Sequence, residues 1–427
     1  LSLLTRAGAL AVAALLPLLS PAPAHGQTIQ DQEWHLDALG VPAAQQVTDG
    51  EGVVVAVVDS GVDASHPDLI GQVLPGTGFG ASAGSDGHTD ADGHGTAMAA
   101  TIAGSGVAGG VLGIAPAAKI LPVASSDADQ FGLTVVADSI RWAVDNGAQV
   151  INLSLGFQSR ATPGLVTAVN YAVEHDVVLV ASTGNESGEV SAPANIRGVL
   201  AVAGTTRAGE PWRESNTGHE TVLAAPAESI VTAMPVSVYD TGYAEVAGTS
   251  SASAIVSGVA ALVRARFPGM SAADVVNRLI STATDVQEPG RDDLTGFGVV
   301  DPVAALTADV PPVTRNPLLP PERITATAAS SGSGAGPSRA APRASAPVVP
   351  SKVPFLVGTG LLAVGLGAGL LVVAAARNRR TATPAHPLPP PPPQPFATRP
   401  EPHWPPITGD EYDAYWRRPP GGPSDGA

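Results

Sequence analysis

The run GTSSASAIVSG, residues 248–258, places Ser250, Ser251, Ser253 and Ser257 in one glycine-marked stretch. A serine hydroxyl is too weakly acidic to attack a peptide carbonyl unaided, so a nucleophile among them needs a neutral imidazole to accept its proton. That imidazole needs a carboxylate on its other nitrogen, which fixes the tautomer and stabilises the imidazolium. The tetrahedral oxyanion needs donors already in place. The chain offers each type. Asp59 closes VVVAVVD, His94 lies in DGHGT, Ser154, Leu155 and Gly156 follow VINL, and Asn185 closes VVLVASTGN. Asn185 carries a side-chain N–H2, and Ser250 at a helix start carries a backbone N–H assisted by the positive end of the helix. Singly, each has a plainer reading. Asp after a strand and Asn in TGN are frequent turn residues, and His between glycines suits an exposed loop.

These residues can act together only if the fold gathers them. GVVVAVVDS, AQVINLSLG and DVVLVASTG are continuous apolar runs, the pattern of strands covered on both faces, hence of a parallel sheet between helices. Helices are expected at 95–104, 133–146, 162–175, 251–266 and 271–283, the last announced by Pro268-Gly269 and a Ser271 cap. Residues 51–307 therefore read as one α/β domain with a central, mostly parallel sheet and helices on both faces. Ligands of such open sheets gather beyond the carboxyl ends of the strands. Asp59, Ser154 to Gly156 and Asn185 are delivered to that edge, and glycine-marked helix starts add His94 and Ser250.

AVVDSGVDASHPDL, DGHGTAMAATIAG, VINLSLG, ASTGNESG, GTSSASAIVSGVAAL and TGFGVVDPVAAL resemble, in order, the motifs of the subtilisin-like serine proteases. The resemblance spans residues 51–307. It implies the subtilisin-like three-layer fold and a serine endopeptidase acting on protein or peptide substrates; no cofactor or metal is expected from the residues. It further implies Asp59 as orienting acid, His94 as general base, Ser250 as nucleophile and Asn185 as oxyanion donor, with Thr249 adding a hydroxyl to the same hole. Ser154, Leu155 and Gly156 would line one side of the cleft and Ala181 to Gly184 the other, an edge onto which an extended peptide adds as a strand. Glu186 falls at the pocket mouth or on the open surface. Ala254 stands where the family usually has proline.

The loop SDGHTDADGHG sets Asp86, His88, Asp90 and Asp92 at every second position, as in a calcium loop. Yet Ala91 replaces the turn glycine and Ala97 the bidentate glutamate, so it reads as a solvated acidic loop leading to His94. GTGFG at 76–80 has no strand immediately before it and is a poor phosphate loop.

Flanking segments suggest an address. Residues 1–24 have the charged, apolar and small-residue order of a secretory signal, with cleavage after Ala24. Residues 25–50 form a polar N-terminal extension, too short for a separately folding inhibitory prodomain. A Pro/Ala/Ser-rich spacer follows at 308–352. Residues 353–376 are apolar enough for a transmembrane helix, and Arg377, Arg379 and Arg380 after it place the Pro-rich tail, 377–427, in the cytoplasm and the catalytic domain outside. PLPPPPPQP in that tail is a polyproline II segment.

The first 311 residues carry a net charge of −21 and the remainder +5, together −16. An acidic exported body does not suit nucleic acid, and with no cysteine it must rely on its core rather than on disulfides. An extension containing DQEWHLDAL, a subtilisin-like body, a spacer, one membrane helix and a short tail are together similar to the mycosins, membrane-anchored proteases that accompany type VII secretion systems. That likeness implies type VII secretion membrane components as partners. The alternatives are a structural component of a secretion complex with proteolysis secondary, and a general degradative surface protease.

Overall fold

The computed structural model describes residues 28–125, 132–158, 161–287 and 289–319. In chain order the elements are α1 (Trp34–Ala38), α2 (Val41–Gln45), β1 (Val54–Asp59), β2 (Thr77–Gly78), α3 (His94–Ala103), β3 (Lys119–Ala124), α4 (Gly132–Asp145), β4 (Val150–Leu153), α5 (Pro163–Glu174), β5 (Val178–Ser182), β6 (Val199–Thr205), β7 (Thr221–Pro226), β8 (Ile230–Ala233), β9 (Tyr243–Val246), α6 (Thr249–Arg266), α7 (Ala272–Ser281) and α8 (Pro302–Thr307).

Every residue of β4, β5, β6 and β7 is buried. A strand is buried on both faces only when helices cover both, which is why these runs are apolar without alternation. The strands form a seven-stranded sheet in the order β2-β3-β1-β4-β5-β6-β7, all neighbours parallel. Helices α4 and α5 pack on one another and on one face, and α3 and α6 on one another and on the other. The chain runs outward from β1 to β3, then crosses back to β4 on β1's other side. Asp59, the last residue of β1, thus stands where the strand order reverses, the crevice position of open α/β sheets.

Helix α6 is buried from Ser251 through Arg264. A helix enclosed on all sides needs small residues to fit and partners for its hydroxyls. Ser257 donates to Asn152 Oδ1 on β4 at 3.0 Å, and Ser253 to the Ser250 carbonyl within the helix at 3.0 Å. Gly258 lets α6 close on the neighbouring loop, because a Cβ there would sit 2.6 Å from Ile114 Cβ.

The extension departs from its polar composition. Trp34 and Leu36 are each 4% exposed, Val41 and Ala44 are fully buried, and Trp34 Nε1 donates to the carbonyls of Glu228 and Ser229 at 3.2 and 3.0 Å. Residues 308–319, read from composition as the start of the spacer, also pack against the body. Leu318 is buried, its carbonyl accepts from Gly198 N, and Val313 N donates to Asp274. Among the described residues no helix is long and apolar enough to cross a membrane. The signal at 1–24, the span at 353–376 and the tail at 377–427 lie outside them.

Candidate active site

Strand β1 ends on Asp59, which is buried, and helix α3 opens on His94. His94 Nδ1 lies 2.8 Å from Asp59 Oδ1 and 2.9 Å from Oδ2. Donation from Nδ1 leaves Nε2 of the neutral ring as an acceptor, the tautomer a general base requires. The close approach depends on Gly95, where a Cβ would fall 2.0 Å from the Gly61 carbonyl oxygen. Gly95 N then donates to Ser60 Oγ at 2.9 Å, fastening the start of α3 to the end of β1.

The Asp59 carboxylate raises the His94 pKa from its ordinary 6.5 to about 9, with Asp92 and Asp90 adding to the rise and burial opposing it. Solvent reaches 38% of the imidazole side chain, so water screens the pair.

Ser250 lies in the first turn of α6, half-buried, and its hydroxyl donates to the Ser154 carbonyl at 3.2 Å. Among the described residues no hydrogen bond joins Ser250 to His94. The first turn is held from β4: Ser154 Oγ donates to the Ser250 carbonyl at 2.9 Å and receives Asn152 Nδ2 at 2.9 Å. Leu155 is half-buried and Gly156 exposed beyond that strand. Phe157 pairs with Ala192 in an antiparallel bridge, with backbone bonds of 2.8 and 3.2 Å.

Asn185 stands exposed beyond β5. Its Oδ1 accepts from Thr249 N at 2.9 Å and from Thr249 Oγ1 at 2.8 Å, so its Nδ2 is the atom left for another acceptor. Thr249 is fully buried, and its hydroxyl also meets the Gly184 backbone. In this arrangement the Thr249 hydroxyl, expected to add to the oxyanion hole, bonds Asn185. Gly184 is buried at φ +113°, and a Cβ there would lie 2.2 Å from Asn216 Nδ2. Glu186 is exposed, and its Oε2 accepts from Asn185 N at 3.0 Å and from Asn216 Nδ2 at 2.8 Å. It braces the Asn185 loop. Asn216 had no signal in the sequence reading, because its partners lie about thirty residues away.

The reading of the acidic loop is corrected. Asp90 is 6% exposed and accepts four hydrogen bonds from Asp92, Gly93 and Thr96 at and before the start of α3, whereas Asp86 and Asp92 are exposed. Among the described residues no group of three or more His, Cys, Asp or Glu could hold a metal ion.

The arrangement can generate a nucleophile at Ser250, given an imidazole oriented by a carboxylate, and can receive an oxyanion between Asn185 Nδ2 and the start of α6. The Subtilase family model matches residues 50–298. The chain is 36% identical over 350 residues to mycosin-1 of Mycobacterium tuberculosis, covering 69% of this chain and 77% of that protein. It is 36% identical over 279 residues to subtilisin Savinase of Lederbergia lenta, covering 65% and 99%. Among solved structures, the MycP3 protease from the type VII (ESX-3) secretion system superposes with a TM-score of 0.61 at 32% identity, covering 67% of this chain and 90% of that one.

Proposed function

The chain belongs to the subtilase family of serine endopeptidases, and from that premise we propose a membrane-anchored extracytoplasmic enzyme that serves type VII secretion through an Asp59, His94, Ser250 triad. The observation that carries the triad is the paired contact of His94 Nδ1 with both Asp59 oxygens, at the sheet edge where α6 presents Ser250. The secretion role is supported by the likeness to mycosin-1 and to the type VII protease. The anchor rests on the apolar run at 353–376.

In the resting arrangement the Ser250 hydroxyl is turned toward the Ser154 carbonyl. Attack begins when a bound peptide displaces it and the hydroxyl swings to His94 Nε2. The imidazole takes the proton as Ser250 Oγ bonds to the scissile carbonyl carbon, and Asp59 stabilises the imidazolium. The oxyanion is received by Asn185 Nδ2 and the Ser250 backbone N–H. His94 then protonates the departing amine, leaving an acyl-serine that water cleaves by the same steps in reverse order. The acyl side of the substrate runs along Ser154, Leu155 and Gly156, with Gly184 on the opposite wall.

The test is fluorophosphonate labelling of the full chain in its native membranes, beside S250A. Labelling of the wild type that disappears in S250A is the expected result. A folded wild type that never labels overturns the triad.

A further inference from the structure

Four backbone N–H groups at the start of an α-helix have no partner within it. In α3 all four are taken. Gly93 N donates to Asp90 Oδ1 at 2.8 Å, His94 N to Asp92 Oδ1 at 3.2 Å, Gly95 N to Ser60 Oγ at 2.9 Å and Thr96 N to Asp90 Oδ2 at 2.9 Å. Asp90 also receives Asp92 N at 3.1 Å and the Thr96 hydroxyl at 2.7 Å. A helix cap normally satisfies one such donor. This carboxylate accepts three N–H groups and a hydroxyl on both sides of His94 while nearly sealed from solvent.

The Thr96 hydroxyl extends the connection. By donating to Asp90 it leaves a lone pair free, and Asp63 N donates into it at 2.9 Å. Asp63 belongs to the loop that begins at Asp59. Two bridges therefore join the elements carrying the base and its acid: Gly95 to Ser60, and Asp90 through Thr96 to Asp63. Thr96 is fully buried, so neither end of its bridge can be replaced by water.

We propose that Asp90 is a positioning residue for catalysis, a second carboxylate behind the triad that fixes His94 against Asp59 by way of Thr96. The inference rests on the triad assignment made above. Asp90 touches neither substrate nor the reacting atoms and acts through the backbone of α3 and through its charge. Displacing a reacting group by about 1 Å can slow catalysis about a hundredfold, which sets the scale. The charged groups facing His94 are Asp59 from β1 and Asp90 and Asp92 from the loop before α3, and all three favour the imidazolium.

The test uses the rate of fluorophosphonate inactivation, resolved into its limiting rate and its half-saturating concentration, across pH 6–10 in the full chain. D90N should lower the limiting rate ten- to a hundredfold, leave half-saturation within about twofold, and move the rate midpoint to lower pH. A role in folding alone would reduce the amount of active enzyme without moving that midpoint. T96V should reproduce the loss of limiting rate with little change in midpoint, and T96S, which keeps the hydroxyl, should restore it. If D90N does not fold, the T96V and T96S pair decides. D90N with wild-type rate and midpoint overturns the proposal, as does T96S impaired as deeply as T96V. A wild type that does not label removes the triad itself and this inference with it, so the two failures are distinguishable.

Discussion

Thr249 donates both its backbone N–H and its hydroxyl to the side-chain oxygen of Asn185, at 2.9 and 2.8 Å. An unrestrained amide presents either face, but this one has its oxygen fixed from two directions, which leaves its Nδ2 as the proposed oxyanion donor. Removing a donor from an oxyanion site slows turnover by about 10²- to 10³-fold. N185L should fall in that range with little change in KM. T249V keeps the backbone donor and loses the hydroxyl, so its loss should be smaller, about tenfold. Steady-state kinetics on a peptide substrate read both values, and a T249V enzyme as slow as N185L would mean that Thr249 itself supplies the oxyanion donor.

The raised pKa of His94 gives activity a direction. Below about 9 the ring is mostly imidazolium and cannot accept the Ser250 proton, and the neutral fraction grows about tenfold per pH unit. The inactivation rate should therefore climb from pH 6 and level off near 9. The linked stability runs the opposite way. A base whose folded pKa lies above its unfolded 6.5 stabilises fully below 6.5 and loses that contribution as pH rises through about 9. D59N should bring the midpoint back toward 6.5 and cut the limiting rate by about 10⁴. A rate profile already flat above pH 7 in the wild type would contradict this account of the Asp59 pairing.

The residues proposed to carry the chemistry are legible because their types announce themselves at strand ends and glycine-marked helix starts. Asp59 closes a run whose unbroken apolarity reports burial on both faces, and the same signal exposed β4 and β5. What was not legible depends on distant partners. Asp90 has the composition of a solvated loop residue, yet α3 folds its backbone donors onto it. Thr249 has the right position for an oxyanion donor, but Asn185, sixty-four residues away, determines where its hydroxyl points. The extension is polar by count, while Trp34 and Leu36 find their apolar surroundings only in the folded body.

Ala254 departs from the usual family proline, and the structure explains why either residue fits. Proline in a helix interior is unfavourable by about 3 kcal/mol, partly because the carbonyl four residues earlier loses its donor. Here that carbonyl belongs to Ser250, and it already accepts from Ser154 Oγ at 2.9 Å and Ser253 Oγ at 3.0 Å. A254P should therefore destabilise the chain by clearly less than about 3 kcal/mol. In the S154A background the cost should rise, because one of the two substitute donors is gone and only Ser253 Oγ remains. Denaturant unfolding of the four-member cycle measures this. Equal costs in both backgrounds would show that the hydroxyls do not stand in for the helix bond.

The extension brings two buried ionisable groups whose pH responses oppose each other. Glu33 Oε2 accepts from Leu112 N at 2.9 Å, but its Oε1 has no partner among the described residues, and burial and the nearby Asp68 charge push its pKa up to about 8. His35 is fully buried, neither ring nitrogen has a hydrogen-bond partner among the described residues, and burial lowers it to about 4. Between the unfolded Glu value of 4.5 and about 8, only the folded chain keeps the Glu33 proton, so stability falls as pH rises. Between about 4 and the unfolded His value of 6.5, only the unfolded chain holds the His35 proton, so stability rises with pH. The two slopes cancel from about 4.5 to 6.5. Above 6.5 Glu33 acts without His35, alongside the smaller contribution of the screened His94 pair. E33Q keeps the acceptor for Leu112 N and removes the proton, so its melting temperature should decline less than that of the wild type between pH 6.5 and 8. Protection against hydrogen exchange in residues 30–45, taken relative to the intrinsic rate at each pH, should fall over the same range in the wild type and not in E33Q. If E33Q and the wild type decline in parallel, ionisation of Glu33 is not what loosens the extension.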